Sequence, residues 1–575
     1  MHNFEKRFGE LVIQYRWLVI LASFLLVGLM ASGAQHLSMT TNYRVFFSED
    51  NPQRMAFEAL ENTYTKNDNV MFVLAPDDGV VFSKRVMEAV HELTEKAWQI
   101  PYSSRVDSLS NYQHTEAEGD DLLVEDLVED PQALTDERLT YIKDIALNEP
   151  LLIYRLISDK AHVTAINVTV QLPGINEATE TPEVVKFSRE LAAEIQAKYP
   201  FIKIYMTGMV MMNNSFSEAS QNDMQSLVPL SFLIMMVMLL IMLRGFAGTI
   251  ITMFVIIMSI VAAMGAGGHI GYPITPPSAT APTVILTVAI ANSVHVLVTF
   301  YHMMREGMQK VPAMIESLRI NLQPVFLASV TTAIGFLSMN FSDVPPFNHL
   351  GNFVAIGVLM SFLLSVTFLP AVISLLPVRV RVHHEKGDRL MIWLGDFVVN
   401  NRRRLLPSMT LLVVVLIAFI PRNELNDVFL EYFDDSIAFR TDTDFTVNNL
   451  TGMYLIDFSV ESSEPGGISD PGFLNEVEEF ANWFRAQPET IHVNVITDIM
   501  RRLNRNMHGD DDAWYELPDQ RDLAAQYLLM YEMSLPYGLD LNNQINVDKS
   551  ATRMVVTLHT LSTNDMLELE QRSNK

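Results

Sequence analysis

Residues 283–301 read TVILTVAIANSVHVLVTFY. At ~1.5 Å per residue a helix of this length reaches about 28 Å, close to the ~30 Å of a bilayer's hydrocarbon layer. The run holds no Asp, Glu, Lys or Arg, yet carries Asn292, Ser293, His295 and Thr299. Counted from Thr283, Asn292 falls about 13 Å and His295 about 18 Å along the axis, so both lie near mid-membrane. Polar groups at that depth are expensive and normally face a bundle interior or a water-filled cavity. Asn292, His295 and Thr299 are spaced i, i+3, i+7 and share a helical face; Ser293 lies about 100° away.

Similar runs, free of charge in their interiors, occur at 17–34, 226–243, 246–267, 324–341, 351–376 and 405–421. Seven such runs cannot all be buried cores of one water-soluble protein, so the chain is read as polytopic. Lys and Arg gather at one set of ends: Lys6, Arg7, Arg16, Arg244, Arg305, Lys310, Arg319 and the 379–404 stretch. The short loops 269–282 and 342–350 hold neither residue. The positive-inside rule then puts the N-terminus in the cytoplasm and segments 35–225 and 422–575 on the far side. Lys6, Arg7, the first apolar run and Ser32-Gly33-Ala34 also resemble a cleavable signal peptide. The repeat described below argues against cleavage.

The 575 residues are 49% apolar and 19% charged, with 67 Asp+Glu against 40 Lys+Arg and a formal net charge of −27. Mean hydropathy is +0.18. A chain this apolar is not disordered, and one this acidic repels a phosphate backbone, which excludes a nucleic-acid partner. Cysteine is absent, which removes disulfides, thiolate catalysis and Cys-based metal sites. There is no phosphate-binding glycine loop followed by Lys, no nucleophile elbow and no Ser/His/Asp set, so no enzyme activity and no cofactor are expected. His383-His384 lacks a spaced third ligand, and the acidic stretches 116–130 and 510–512 read as solvated loops.

The order of elements repeats. A short amphipathic stretch ending in Arg precedes both the first span (9–16) and the seventh (395–402). After each span come a strand (69–75; 453–460), a helix (83–98; 470–484), a second strand (105–109; 492–496) and a third (163–172; 553–561). The first copy continues through a helix at 183–198 and a strand at 202–207 into five clustered spans. The second stops as its corresponding helix, 564–571, begins, which makes the chain look like a fragment. The expected fold is an α-helical polytopic membrane protein with two α+β, split-βαβ-like extracytoplasmic domains and an internal repeat. The expected divisions are 1–34 (N-terminus and first span), 35–225 (outer domain), 226–377 (five spans), 378–404 (cytoplasmic linker), 405–421 (seventh span) and 422–575 (second outer domain).

This pattern resembles the resistance-nodulation-division (RND) superfamily, and within it the MMPL-type or "predicted exporter" branch, itself similar to Patched and other sterol-sensing-domain proteins. The local features that carry the likeness are TVAIANSVHVLVTFYHMMREG at 287–307, Asn321-Leu322-Gln323-Pro324 and Thr331-Thr332-Ala333-Ile334-Gly335-Phe336. The resemblance implies a bacterial inner-membrane exporter driven by the proton motive force, with a lipid or other hydrophobic small molecule as cargo. A periplasmic or outer-membrane partner and a homo-oligomer are compatible with it. It also implies one or two carboxylates at mid-membrane on the fourth span, and those positions fall on Asn292 and Ser293, which cannot titrate. The coupling candidates are therefore Asn292, Ser293, His295 and Thr299, with Thr331 and Thr332 on the fifth span; Ser329, Thr331 and Thr332 are at a depth to supply hydrogen-bond partners if the two helices are antiparallel neighbours. His295, whose ordinary pKa is near 6.5, is the titratable member of the face. The bland reading makes His295 and Asn292 interhelical packing glue. Met206, Met209, Met211 and Met212 form an adaptable apolar cluster before the second span and are the candidate substrate portal, with core filling as the alternative. A second functional class, a non-transporting lipid sensor or assembly protein, is favoured by the loss of the acidic pair.

Overall fold

The computed structural model describes residues 2–40, 42–66, 68–119, 121–243, 245–378, 389–423 and 426–573. His383-His384 lies outside them. The protein is mostly helical, and seven of its helices are long and apolar enough to cross a membrane. They are the first span (Arg16–His36), second (Met209–Leu243), third (Phe246–Ile270), fourth (Ser278–Arg305), fifth (Lys310–Phe341), sixth (Pro345–Leu375) and seventh (Ile392–Arg422). Each coincides with one of the apolar runs in the sequence, the sixth ending one residue before its run does. The protein is thus a multi-pass membrane protein. The chain divides into two compact units, 1–48 with 216–425 and 49–215 with 426–575.

In the first unit the sixth span packs against the third, fourth and fifth. The small residues at the end of the third span allow very close contact with the first. A Cβ on Gly265 would lie 2.2 Å from the Met30 carbonyl oxygen, and one on Gly268 would lie 2.1 Å from that of Gly33. Only glycine lets two backbones approach so closely, and without a strong hydrophobic force between helices in lipid such contact is a main source of association. Helix His2–Gln14 turns Val12 and Ile13 inward and packs on the fifth span. The apolar stretch of the seventh span is exposed along its length.

The second unit contains two αβ lobes. In the first, the antiparallel sheet order is β2-β5-β1-β6, with β1 at Asn69–Pro76, β2 at Ser103–Asp107, β5 at Thr164–Val170 and β6 at Ile202–Thr207. Helix Lys84–Ala97 links β1 to β2. It starts where the Ser83 hydroxyl accepts from the Val86 amide, and buries Val86, Met87, Val90, Leu93 and Ala97, the i, i+3, i+4 face visible in the sequence. In the second lobe, β7 (Tyr454–Glu461), β8 (Thr490–Asn494) and β9 (Ala551–Leu558) are ordered β7-β9-β8. Helix Pro471–Arg485, capped by Asp470, covers this sheet with Val477, Ala481 and Phe484 against Val493, Met554, Val556 and Leu558.

Two sequence expectations need correcting here. The stretch 492–496 stops being a strand at Asn494, and helix Ile496–Asn506 begins immediately. The acidic stretch 116–130 is not a solvated loop throughout. β3 (Gln113–Glu118) and β4 (Asp121–Asp126) form a hairpin that docks on that helix: Asn506 Nδ2 donates to Thr115 O at 3.1 Å, and the Ala117 amide donates to Asp510 Oδ2 at 2.9 Å. Asp510 thereby has a structural partner. The signal was masked because acidic residues outnumber the few that dock the hairpin: the Thr115 hydroxyl, the Ala117 amide, and Leu122 and Val124, which pack on the same core as the helix.

Candidate functional site: a polar joint between three spans

The fourth span becomes regular helix at Ala281, with Pro282 in its first turn, where a missing amide hydrogen costs nothing. Its buried arc carries the polar cluster. Asn292 is 2% exposed, and its Nδ2 donates to Ser329 Oγ of the fifth span at 3.1 Å and Ser361 Oγ of the sixth at 3.0 Å. One amide thus ties three helices. Fully buried Ser293 meets Ser365 of the sixth span, hydroxyl to hydroxyl at 3.2 Å. Ser361 and Ser365 are one helical turn apart, so the two contacts stack along the same seam.

A second set lies about 6–10 Å further along the fourth span. Ser317 Oγ donates to Val296 O at 2.6 Å, and Asn321 Nδ2 donates to Thr299 Oγ1 at 2.8 Å and to Ser317 O at 2.9 Å. Thr299 in turn donates to the His295 carbonyl at 3.0 Å. Ala289, Val296, Leu297 and Phe300, all fully buried, surround these contacts. Among the described residues, no ionisable side chain takes part in either set.

The shared face read from the sequence is divided by packing. With Asn292 at zero and about 100° per residue, buried Val296, Ala289, Phe300 and Ser293 fall at about +40° to +100°, whereas His295 falls at about −60°. His295 is accordingly exposed at the edge of the buried arc, without a side-chain partner among the described residues. Thr331 and Thr332 do not reach the fourth span. Their hydroxyls return to carbonyls of their own helix, at Leu327 and Ala328 for Thr331 and at Ala328 for Thr332. Ser329 is the member of that group facing Asn292. Met206, Met211 and Met212 are buried and Met209 half-buried.

The sequence did not mark Ser317, Asn321, Ser361 and Ser365 as site residues, although Asn321 opens one of the stretches that carry the family likeness. A signal for two of them was present: Gly357, Ser361 and Ser365 recur every fourth residue in an otherwise bulky span, the small-residue stripe that marks a helix–helix seam.

Two comparisons bear on this geometry. A membrane protein of Methanocaldococcus jannaschii is 21% identical over 174 residues, which are 30% of this chain and 45% of that protein. The aligned stretch thus covers less than half of the relative's length. The MMPL family profile matches residues 54–404, taking in the first αβ lobe and the spans that carry the polar joint. With more than half of its length matched, the chain belongs to the MMPL family of the RND superfamily.

Proposed function

We propose that the protein is an RND-type exporter of hydrophobic or lipid-like molecules, in which the Asn292–Ser329–Ser361 contact is an uncharged joint and not a proton relay. The carrying observation is that one buried amide satisfies two hydroxyls on two neighbouring helices. A group of this kind can hold three helices in register, or release them, without a change of charge. In this reading the cell is bacterial, the membrane is the inner one, the N-terminus is cytoplasmic and both αβ lobes are periplasmic. The two halves of the repeat rock against each other, and opening near Met206, Met209, Met211 and Met212 admits cargo. The proton motive force drives the cycle. His295, at the exposed edge of the fourth span, is the titratable candidate for sensing it.

The test uses the full chain in proteoliposomes with an imposed pH gradient and an NBD-labelled fatty acid as probe. Gradient-dependent movement of the probe that is slowed by Asn292→Ala supports the reading. Absence of movement under any gradient, with the probe still bound, favours the second reading, a non-transporting lipid sensor. That reading is supported by the uncharged residues at 292 and 293, where acids are expected for proton coupling.

A further inference from the structure

In the second unit, β2 and the 108–113 and 151–156 segments meet the 499–544 segment around a pocket of about 60 Å³. Arg105, Asp107, Arg155, Asn543 and Gln544 are among its polar lining residues, and Leu539 and Leu541 contribute to an apolar wall. Its charges do not cancel. Arg105 Nε donates to both Asp107 oxygens at 3.0 Å, and Arg105 Nη1 donates to Asp540 O at 2.6 Å. Asp107 is therefore committed to Arg105. The Arg155 guanidinium is 3.9 Å from Asp107 and makes no hydrogen bond among the described residues. The side chain keeps 27% exposure, so a ligand can reach it from solvent. Partial burial, with Arg105 nearby, pushes the Arg155 guanidinium below its ordinary range, and Asp107 offsets part of that.

Arg155 is also held in place. The Arg155 amide donates to Leu152 O, the Ala165 amide and the Thr164 hydroxyl donate to Leu156 O at 2.8 Å, and the Tyr154 amide donates to Ile157 O. A rigid loop thus presents a cation with unused donors. Two of the lining residues carry a buried amide oxygen with no partner among the described residues: Oδ1 of Asn543 and Oε1 of Gln544, the latter residue 5% exposed. A buried acceptor left unpaired is destabilising, so a group that donates to it is favoured.

The structure assigns this pocket, we infer, to a singly protonated phosphate group: its anionic oxygens face Arg155 and its one P–OH donates to the amide oxygen of Asn543 or of Gln544. Arg suits phosphate because its planar fork makes paired, charge-assisted hydrogen bonds. Inorganic phosphate and the monoester head of a lipid such as phosphatidic acid share this chemistry. A diester head has no P–OH and a sulfate dianion no proton, so both are poor fits. The site lies outside the membrane unit, and binding there is independent of whether the chain exports anything.

The test is isothermal titration of the full chain in phosphate-free detergent at pH 6, where a phosphate monoester is about half singly protonated. The probes are inorganic phosphate, dioctanoyl phosphatidic acid, dioctanoyl phosphatidylcholine and sulfate. We expect saturable one-site binding of the first, the second or both, at least tenfold tighter than the last two. Binding of phosphatidic acid alone identifies a lipid source, and equal binding of both identifies the phosphate group itself. Arg155→Gln should weaken binding at least tenfold, Arg155→Lys less, and Asn543→Leu several-fold, with melting temperatures recorded for each. The proposal is overturned if neither monoester-type probe saturates, or if a folded Arg155→Gln or Asn543→Leu variant binds like the parent.

Discussion

Asn292→Ala removes the amide that links the fourth, fifth and sixth spans, and its cost can be worked from the geometry. Two interhelical hydrogen bonds disappear, at 3.1 and 3.0 Å. Such bonds in membranes average about 0.6 kcal/mol and reach about 1.7, so their loss accounts for about 1–3 kcal/mol. The two hydroxyls fare differently. Ser361 keeps a bond of its own, donating to Val358 O at 2.8 Å, so Ser361→Ala alone should be mild. A double-mutant cycle of Asn292→Ala with Ser361→Ala isolates the shared term, expected near 0.6 kcal/mol. Asn292→Leu serves as a size control, because it restores volume but no hydrogen bond and should stay destabilised. The assay is reversible unfolding of the full chain in bicelles, followed by steric trapping. A coupling energy indistinguishable from zero, or an Asn292→Leu variant as stable as the parent, would refute the view that this contact is a joint.

Gly265→Ala places a Cβ against the Met30 carbonyl, so the first and third spans must separate; overpacking of this kind costs about 1–3 kcal/mol and should lower the melting temperature in detergent. Gly335→Ala meets nothing within 4 Å and should be neutral or slightly stabilising in the same assay. In the second unit, Arg502 (2% side-chain exposure) pairs with Glu149 (10%) at 3.1 Å and also meets Tyr112 and Tyr531. Arg502→Met should cost about 3–5 kcal/mol in denaturant unfolding, because it strands the Glu149 carboxylate, whereas adding Glu149→Met should recover much of that loss. Buried His492 donates from Nε2 to Pro150 O at 2.6 Å, and its pKa is lowered to about 4, chiefly by desolvation. Between about pH 6.5 and 4 the unfolded state therefore binds the extra proton, and stability falls as pH drops, by up to about 3 kcal/mol. His492→Gln should flatten that part of a stability-versus-pH curve measured by thermal unfolding.

The spans were legible because charge-free runs of sufficient length have one economical explanation, and the helix at Lys84–Ala97 because its apolar residues fall every third and fourth position. The β3–β4 hairpin was hidden for the opposite reason: acidic residues flank the few that dock it, which are Thr115, the Ala117 amide, Leu122 and Val124. At the polar joint, helical spacing brought out Asn292 as a buried group but could not mark where the buried arc ends, which depends on neighbours. His295, about 60° away, falls beyond that edge. Thr331 and Thr332 were as eligible by depth as Ser329, and only the azimuth of the fifth span separates them.

The central claim is that an uncharged amide joins three helices at mid-membrane where an acid is expected for proton coupling. Cryo-electron microscopy of the full chain in lipid nanodiscs at pH 5.5 and 8.0 tests it most directly. The account predicts Asn292 within hydrogen-bonding distance of both Ser329 and Ser361 at each pH, with His295 outside that contact. Asn292 turned toward acyl chains, or an ionised side chain occupying the space between the three spans, would contradict it.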